Sequence, residues 1–122
     1  VYSTSDAAGI GIAYWSRDPG SWGPYESDGT PRNLIGVLNR AYPRAVAGQL
    51  HNWTSKPDSL EILVTPDGNV TAPSEVYLPA EGFLDGGVVA GGTVVSWDPE
   101  LRILRFTVDP AEGAQRVVVT PR

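Results

Sequence analysis

The sequence has no cysteine, no methionine and a single histidine in 122 residues. Without cysteine there is neither a disulfide framework nor a thiolate metal site, and the redox compartment leaves no trace. One histidine cannot build a metal cage by itself, and His51, close to Trp53, reads as a half-buried strand residue rather than a ligand. Positive charge is also scarce: nine Lys and Arg face fourteen Asp and Glu, for a net charge of −5. That balance provides no clustered cationic surface for a phosphate backbone, so nucleic acid is not an expected partner. No run approaches the roughly 20 apolar residues of a membrane-spanning helix. No basic-then-apolar leader is found at the start. The missing methionine, with Val1 in first place, is what a processed or excised piece of a longer protein would show.

Glycine and proline, by contrast, are plentiful, at 14 and 11 residues. They favour short strands between tight turns over long helices. From about Gln49 onward the sequence reads as strands around 49–54, 60–65, 74–78, 93–97, 101–108 and 116–120. Leu60, Ile62 and Val64 alternate with Ser59, Glu61 and Leu63, and Leu101, Ile103 and Arg105 oppose Arg102, Leu104 and Phe106. This is the period of sheets with a buried face. The stretch Trp97-Asp98-Pro99-Glu100-Leu101 supplies a turn for a hairpin. Gly86-Gly87 and Gly91-Gly92 flank a short strand. With no phosphate-loop lysine and no following helix, they mark turns rather than a nucleotide site. Regular short strands of this kind predict an antiparallel β-sandwich over 46–122.

The first 45 residues follow a different pattern. Gly9 to Trp15 is a small, apolar strand without alternation, as in a parallel sheet covered on both faces. A loop holding Trp22, Tyr25 and two prolines follows. Then 28–43 offers Thr30 as a cap, Pro31 at a first helical position, and Leu34, Ile35, Val37 and Leu38 on one side of a helix that Pro43 ends. A lone strand–loop–helix unit cannot cover both faces of its strand. It belongs either to a larger layer, which makes the chain the tail of an enzyme, or against the sandwich, which makes it a self-contained module.

The segments Ala13-Tyr14-Trp15-Ser16, DGTPRNLIGVLNRAYPRAVAG (28–48), APSEVYLPAE (72–81) and VVVTP (117–121) resemble the C-terminal end of endoglycoceramidase-like glycosidases of glycoside hydrolase family 5. The resemblance implies a mainly β chain, in which the last strand–helix unit of a (β/α)8 barrel (1–45) precedes a C-terminal antiparallel β-sandwich (46–122). It also implies a retaining hydrolase, secreted or extracellular and without a cofactor, that cuts the bond between the oligosaccharide and the lipid of a glycosphingolipid. Retention requires two carboxyl groups about 5–5.5 Å apart, one the nucleophile and one the acid/base. In the family these are glutamates on the fourth and seventh barrel strands, and neither position falls within these 122 residues. The chain alone is therefore expected to be inactive, with the remainder of the barrel as its partner, in the same polypeptide or a separate one.

By the same resemblance Trp15 is the tryptophan at the end of the last barrel strand, forming a floor under the sugar next to the cleaved bond. An indole face suits that task, since it offers a flat apolar platform to the C–H side of a pyranose. Trp22 and Tyr25, on the following loop, would line the mouth of the site or pack against the sandwich. Asp18, Glu26 and Asp28 read as solvated turn carboxylates. Trp53 and Trp97 fall in sandwich strands and read as core anchors. Were these two rings exposed instead, a stand-alone carbohydrate-binding module would be the rival, and a purely structural sandwich is a third reading. Asn52-Trp53-Thr54 and Asn69-Val70-Thr71 fit the glycosylation acceptor pattern, which is short enough to recur by chance.

Overall fold

A computed structural model describes residue 8 and residues 27–30, 39–110 and 113–122. The expected barrel strand over 9–15, and all of the expected helix but its two ends, lie outside these residues. At its far end Asn39–Ala41 are irregular, and Tyr42 and Pro43 already belong to a strand. The expected helix therefore does not reach the proline.

The described residues form two antiparallel sheets that face each other. The strands are β1 (Tyr42–Ala45), β2 (Gly48–Lys56), β3 (Ser59–Pro66), β4 (Ser74–Tyr77), β5 (Gly87–Ala90), β6 (Thr93–Asp98), β7 (Ile103–Thr107) and β8 (Gln115–Pro121). The first sheet runs β1-β4-β7-β6 and the second β2-β3-β8-β5. Pairing of Tyr42 with Tyr77 and of Ala45 with Glu75 makes β1 part of the sandwich. The sandwich thus takes in residues 42–45, which the sequence pattern assigned to the preceding unit.

Alternation generates the core. On β3, Leu60, Ile62 and Val64 are buried while the residues between them are half-buried. Val117 and Val119 answer them from β8, and Val76, Leu104 and Phe106 close over from the first sheet. Leu78 and Phe83, in the connection from β4 to β5, complete one contiguous cluster. Each such side chain contributes about 1.5–3 kcal/mol by leaving water.

The outer strands are handled differently. Register shifts fall between Pro43 and Ala45 on β1, Leu50 and Asn52 on β2, and Val94 and Ser96 on β6. All three strands lie at a sheet edge. A bulge twists an edge and spoils it as a template for another chain. It also explains His51, which sits at the β2 irregularity. The residue is exposed rather than half-buried, and its Nε2 lies 2.7 Å from the Thr65 hydroxyl.

Candidate functional site

The three aromatic residues expected to meet the substrate, Trp15, Trp22 and Tyr25, lie outside the described residues, as do Asp18 and Glu26. Asp28 is described. Its carboxylate accepts the Thr30 amide at 2.9 Å across Gly29, whose φ is +87°. The bond from the Thr30 backbone, followed by that from its side chain, holds the carboxyl below its ordinary pKa of 3.8. This is a turn carboxylate, fully exposed and engaged with its own loop.

The tryptophans of the sandwich are both occupied. Trp53, on β2, packs against the core from the edge, and the Arg40 guanidinium lies 5.1 Å from its ring centroid. Trp97, on β6, also packs against the core, under the guanidinium of Arg102 at 4.8 Å. Gly86 closes on the same ring: a Cβ there would sit 3.0 Å from two indole atoms, and φ is +88°. Cation–π stacking accounts for both arrangements. Rings covered in this way are not open platforms for a sugar face, so these two residues do not build the binding surface that a stand-alone module requires.

Arg102 is the residue that the sequence pattern did not single out. Asp98 accepts the amides of Glu100 and Leu101 at 3.0 and 2.9 Å, which curls the β6–β7 connection and delivers Arg102 at φ 60°. From there its Nε donates to the Leu78 carbonyl at 3.0 Å, Nη1 to Leu84 at 3.1 Å and Nη2 to Phe83 at 2.5 Å. The Leu78 amide returns a bond to the Arg102 carbonyl at 2.9 Å. One side chain thus ties together three carbonyls of an irregular connection, of which that of Phe83 also accepts the Gly86 amide at 3.0 Å. With its donors spent on backbone, Arg102 holds the fold rather than a ligand. The one sequence signal for it is the Asp98-Pro99 turn four residues earlier.

The outward faces of the sheets carry ion pairs. Glu75 receives Arg105 Nε at 3.0 Å and lies 3.9 Å from Arg44 on the first sheet. Glu61 meets Arg116 at 2.7 Å on the second. Among the described residues no group of three or more His, Cys, Asp or Glu is placed to hold a metal ion. No helix among them is long and apolar enough to cross a membrane. Asn52 and Asn69 are both exposed.

No protein-family model matches the chain, and no curated protein sequence matches it. Solved structures do. Endo-glycoceramidase II from Rhodococcus sp. aligns at 45% identity over 99% of this chain with a TM-score of 0.86. It does so equally as its lactosyl-enzyme intermediate and in its complex with ganglioside GM3. The aligned part is 28% of that enzyme's chain, so the present sequence spans little more than a quarter of it. At 45% identity and a TM-score of 0.86 the chain is similar to, and shares the fold of, a part of endo-glycoceramidase II from Rhodococcus sp..

Proposed function

We propose that the complete protein is a retaining glycosidase of glycoside hydrolase family 5 that hydrolyses the linkage between the oligosaccharide and the ceramide of a glycosphingolipid or a related glycolipid. The observation that carries this reading is the 45% identity, sustained over 99% of the chain, to an enzyme trapped as a lactosyl intermediate and bound to ganglioside GM3. In this reading residues 1–45 supply the last strand, loop and helix of a (β/α)8 barrel. Trp15 lies under the sugar beside the scissile bond, and Trp22 and Tyr25 flank the entrance. The nucleophile and the acid/base are glutamates elsewhere in the barrel, so this segment by itself has no hydrolytic activity. The sandwich supports the barrel, and the enzyme acts outside the cell.

The reaction class follows from the chemistry of a covalent glycosyl intermediate. One carboxylate attacks the anomeric carbon while the other protonates the ceramide oxygen. Water then reverses the first step with the second group acting as base. The experiment is incubation of the full-length protein with a lactosyl glycosphingolipid. Release of intact lactose with the β configuration in the first moments, seen by NMR, is the expected result. Stepwise release of monosaccharides, or an inverted first product, overturns it. A binding-only module is disfavoured by the covered faces of Trp53 and Trp97. Glycan binding by the 122-residue segment alone would restore that reading.

A further inference from the structure

Leu84 and Leu101 are the two most exposed large apolar side chains among the described residues, at 71% and 59%. Leu84 lies in the connection from β4 to β5, and Leu101 in that from β6 to β7. Tyr77, the last residue of β4, pairs with Ile103, the first of β7, so both connections emerge at the same end of the first sheet. Neither leucine rides on a loose loop. The Leu84 carbonyl accepts Arg102 Nη1 at 3.1 Å, and the Leu101 amide donates to Asp98 Oδ1 at 2.9 Å. The corner that orders these connections thus also holds two apolar tips out in water, where each forgoes the gain of burial.

Two side chains are far too little for a stable protein interface, which takes roughly 800 Å² from each partner. They suffice for a lipid surface, which needs no complementary shape and favours each apolar side chain that leaves water. A rigid mount helps such insertion, because little conformational freedom remains to be lost. Charge narrows the kind of lipid. Across 78–102 the carboxylates of Glu81, Asp85, Asp98 and Glu100 stand against one cation, Arg102. The β2–β3 turn adjoins at Pro57, beside Gly82, and the chain end at Arg122, whose amide bonds the Gly86 carbonyl. These neighbours add Lys56, Asp58 and Arg122, which leaves this end of the sandwich net negative. An anionic surface repels it, and an electrically neutral one does not.

We infer that Leu84 and Leu101 form an interfacial anchor that dips into the neutral phospholipid surface holding the glycolipid substrate. The inference rests on the function proposed above, whose substrate carries a ceramide and so resides in a lipid layer. With only two inserted side chains the hold is weak and reversible, and an enzyme anchored in this way can leave one patch of membrane for the next.

Flotation of the full-length protein with phosphatidylcholine vesicles tests this. Leu84→Ser and Leu101→Ser should each lower the ratio of bound to free protein about tenfold, and the double variant about a hundredfold. Val88→Ser and Val95→Ser, at residues 49% and 56% exposed on β5 and β6, should lower it less than twofold. All four side chains are exposed, so the denaturation midpoint should not move. Replacing part of the phosphatidylcholine by phosphatidylserine should weaken binding of the wild-type protein. Wild-type protein that does not float, a double variant that floats as well, a loss shared by the valine variants, or tighter binding to phosphatidylserine overturns the inference. So does hydroxyl-radical labelling of Leu84 and Leu101 about tenfold slower than that of Val95 in the vesicle-free protein, since another part of the protein would then be the occupant. Hydrolysis separates the anchor from the function. The double variant should cleave a lactosyl lipid embedded in vesicles as much less efficiently as it binds them, and a water-soluble lactoside without a fatty chain at the wild-type rate. Leucine-dependent flotation without hydrolysis removes the function and leaves the anchor, and hydrolysis with flotation indifferent to the leucines does the opposite.

Discussion

The middle of the sandwich and the corner around Arg102 achieve order by opposite means. Along β3 and β8 a simple alternation places Leu60, Ile62, Val64, Val117 and Val119 against the other sheet, and water does the rest. At the corner the backbone is irregular, and a single guanidinium ties three carbonyls together above an indole. The first region tolerates any apolar residue of suitable volume. The second depends on one side chain whose geometry no other residue reproduces.

The largest effects should come from breaking the first of these. Phe106→Ala and Leu60→Ala each remove a fully buried side chain, and chemical denaturation should show losses of about 3–5 and 2–5 kcal/mol respectively. Leu60→Met, which keeps the volume, should cost under about 1.5 kcal/mol by the same measurement. If the conservative change were as damaging as the truncation, the centre would be as shape-specific as the corner, and the contrast would fail.

Arg102→Ala comes next, at roughly 2–3 kcal/mol, since it leaves carbonyls of Leu78, Phe83 and Leu84 without their charged donor. Arg102→Gly sharpens the comparison. It loses the same donors but relieves a non-glycine residue at φ 60°, so it should be about 1 kcal/mol more stable than the alanine variant. Equal losses in the two variants would mean that the backbone there carries no strain. Arg102→Lys should behave like a truncation rather than a conservative change, because an ammonium cannot fork to three carbonyls.

How far the sequence discloses this fold follows the same division. The alternation on β3 and the Asp98 turn are local, and both are legible. So are the strands that became β2, β4, β6 and β8, because Gly and Pro punctuate them. β1 was hidden, since Tyr42-Pro43-Arg44-Ala45 follows an apolar helical pattern and owes its extension to pairing with β4. Leu101 and Arg102 look like the start of a strand, but the two Asp98 contacts bend them into a turn. The exposure of His51 depends on an edge bulge, which is not encoded within a few residues. Of the candidate site, Trp15, which a resemblance names, and Trp22 and Tyr25, which their place on the following loop names, lie outside the described residues. The part that sequence could not have supplied, the capping of Trp53 and Trp97 by arginines, depends on residues 13 and 5 positions away.

The smallest effects belong to the surface. Arg116→Ala breaks the exposed pair with Glu61 and should change stability by no more than about 1 kcal/mol, an effect that salt should erase. Asp28 should titrate below 3.8 by NMR because of its bonds from Thr30. Its folded-state pKa is depressed, so whatever it adds to the turn is present in full above the unfolded value and is lost as the pH falls through the folded one. A midpoint at or above 3.8 would show that the turn is not held by the carboxylate.

The order of strands has one more consequence. The path leaves one sheet for the other five times, and β8, the latest strand, lies inside its sheet between β3 and β5 rather than at a border. The second layer cannot be completed ahead of the first on a growing ribosomal product, since β3 must wait some fifty residues for its neighbour β8, whereas every strand of the first layer precedes β8. A gene truncated even slightly within residues 115–121 would leave a seam through the middle of a layer, so evolution and protein engineers alike should find this unit transferable only whole.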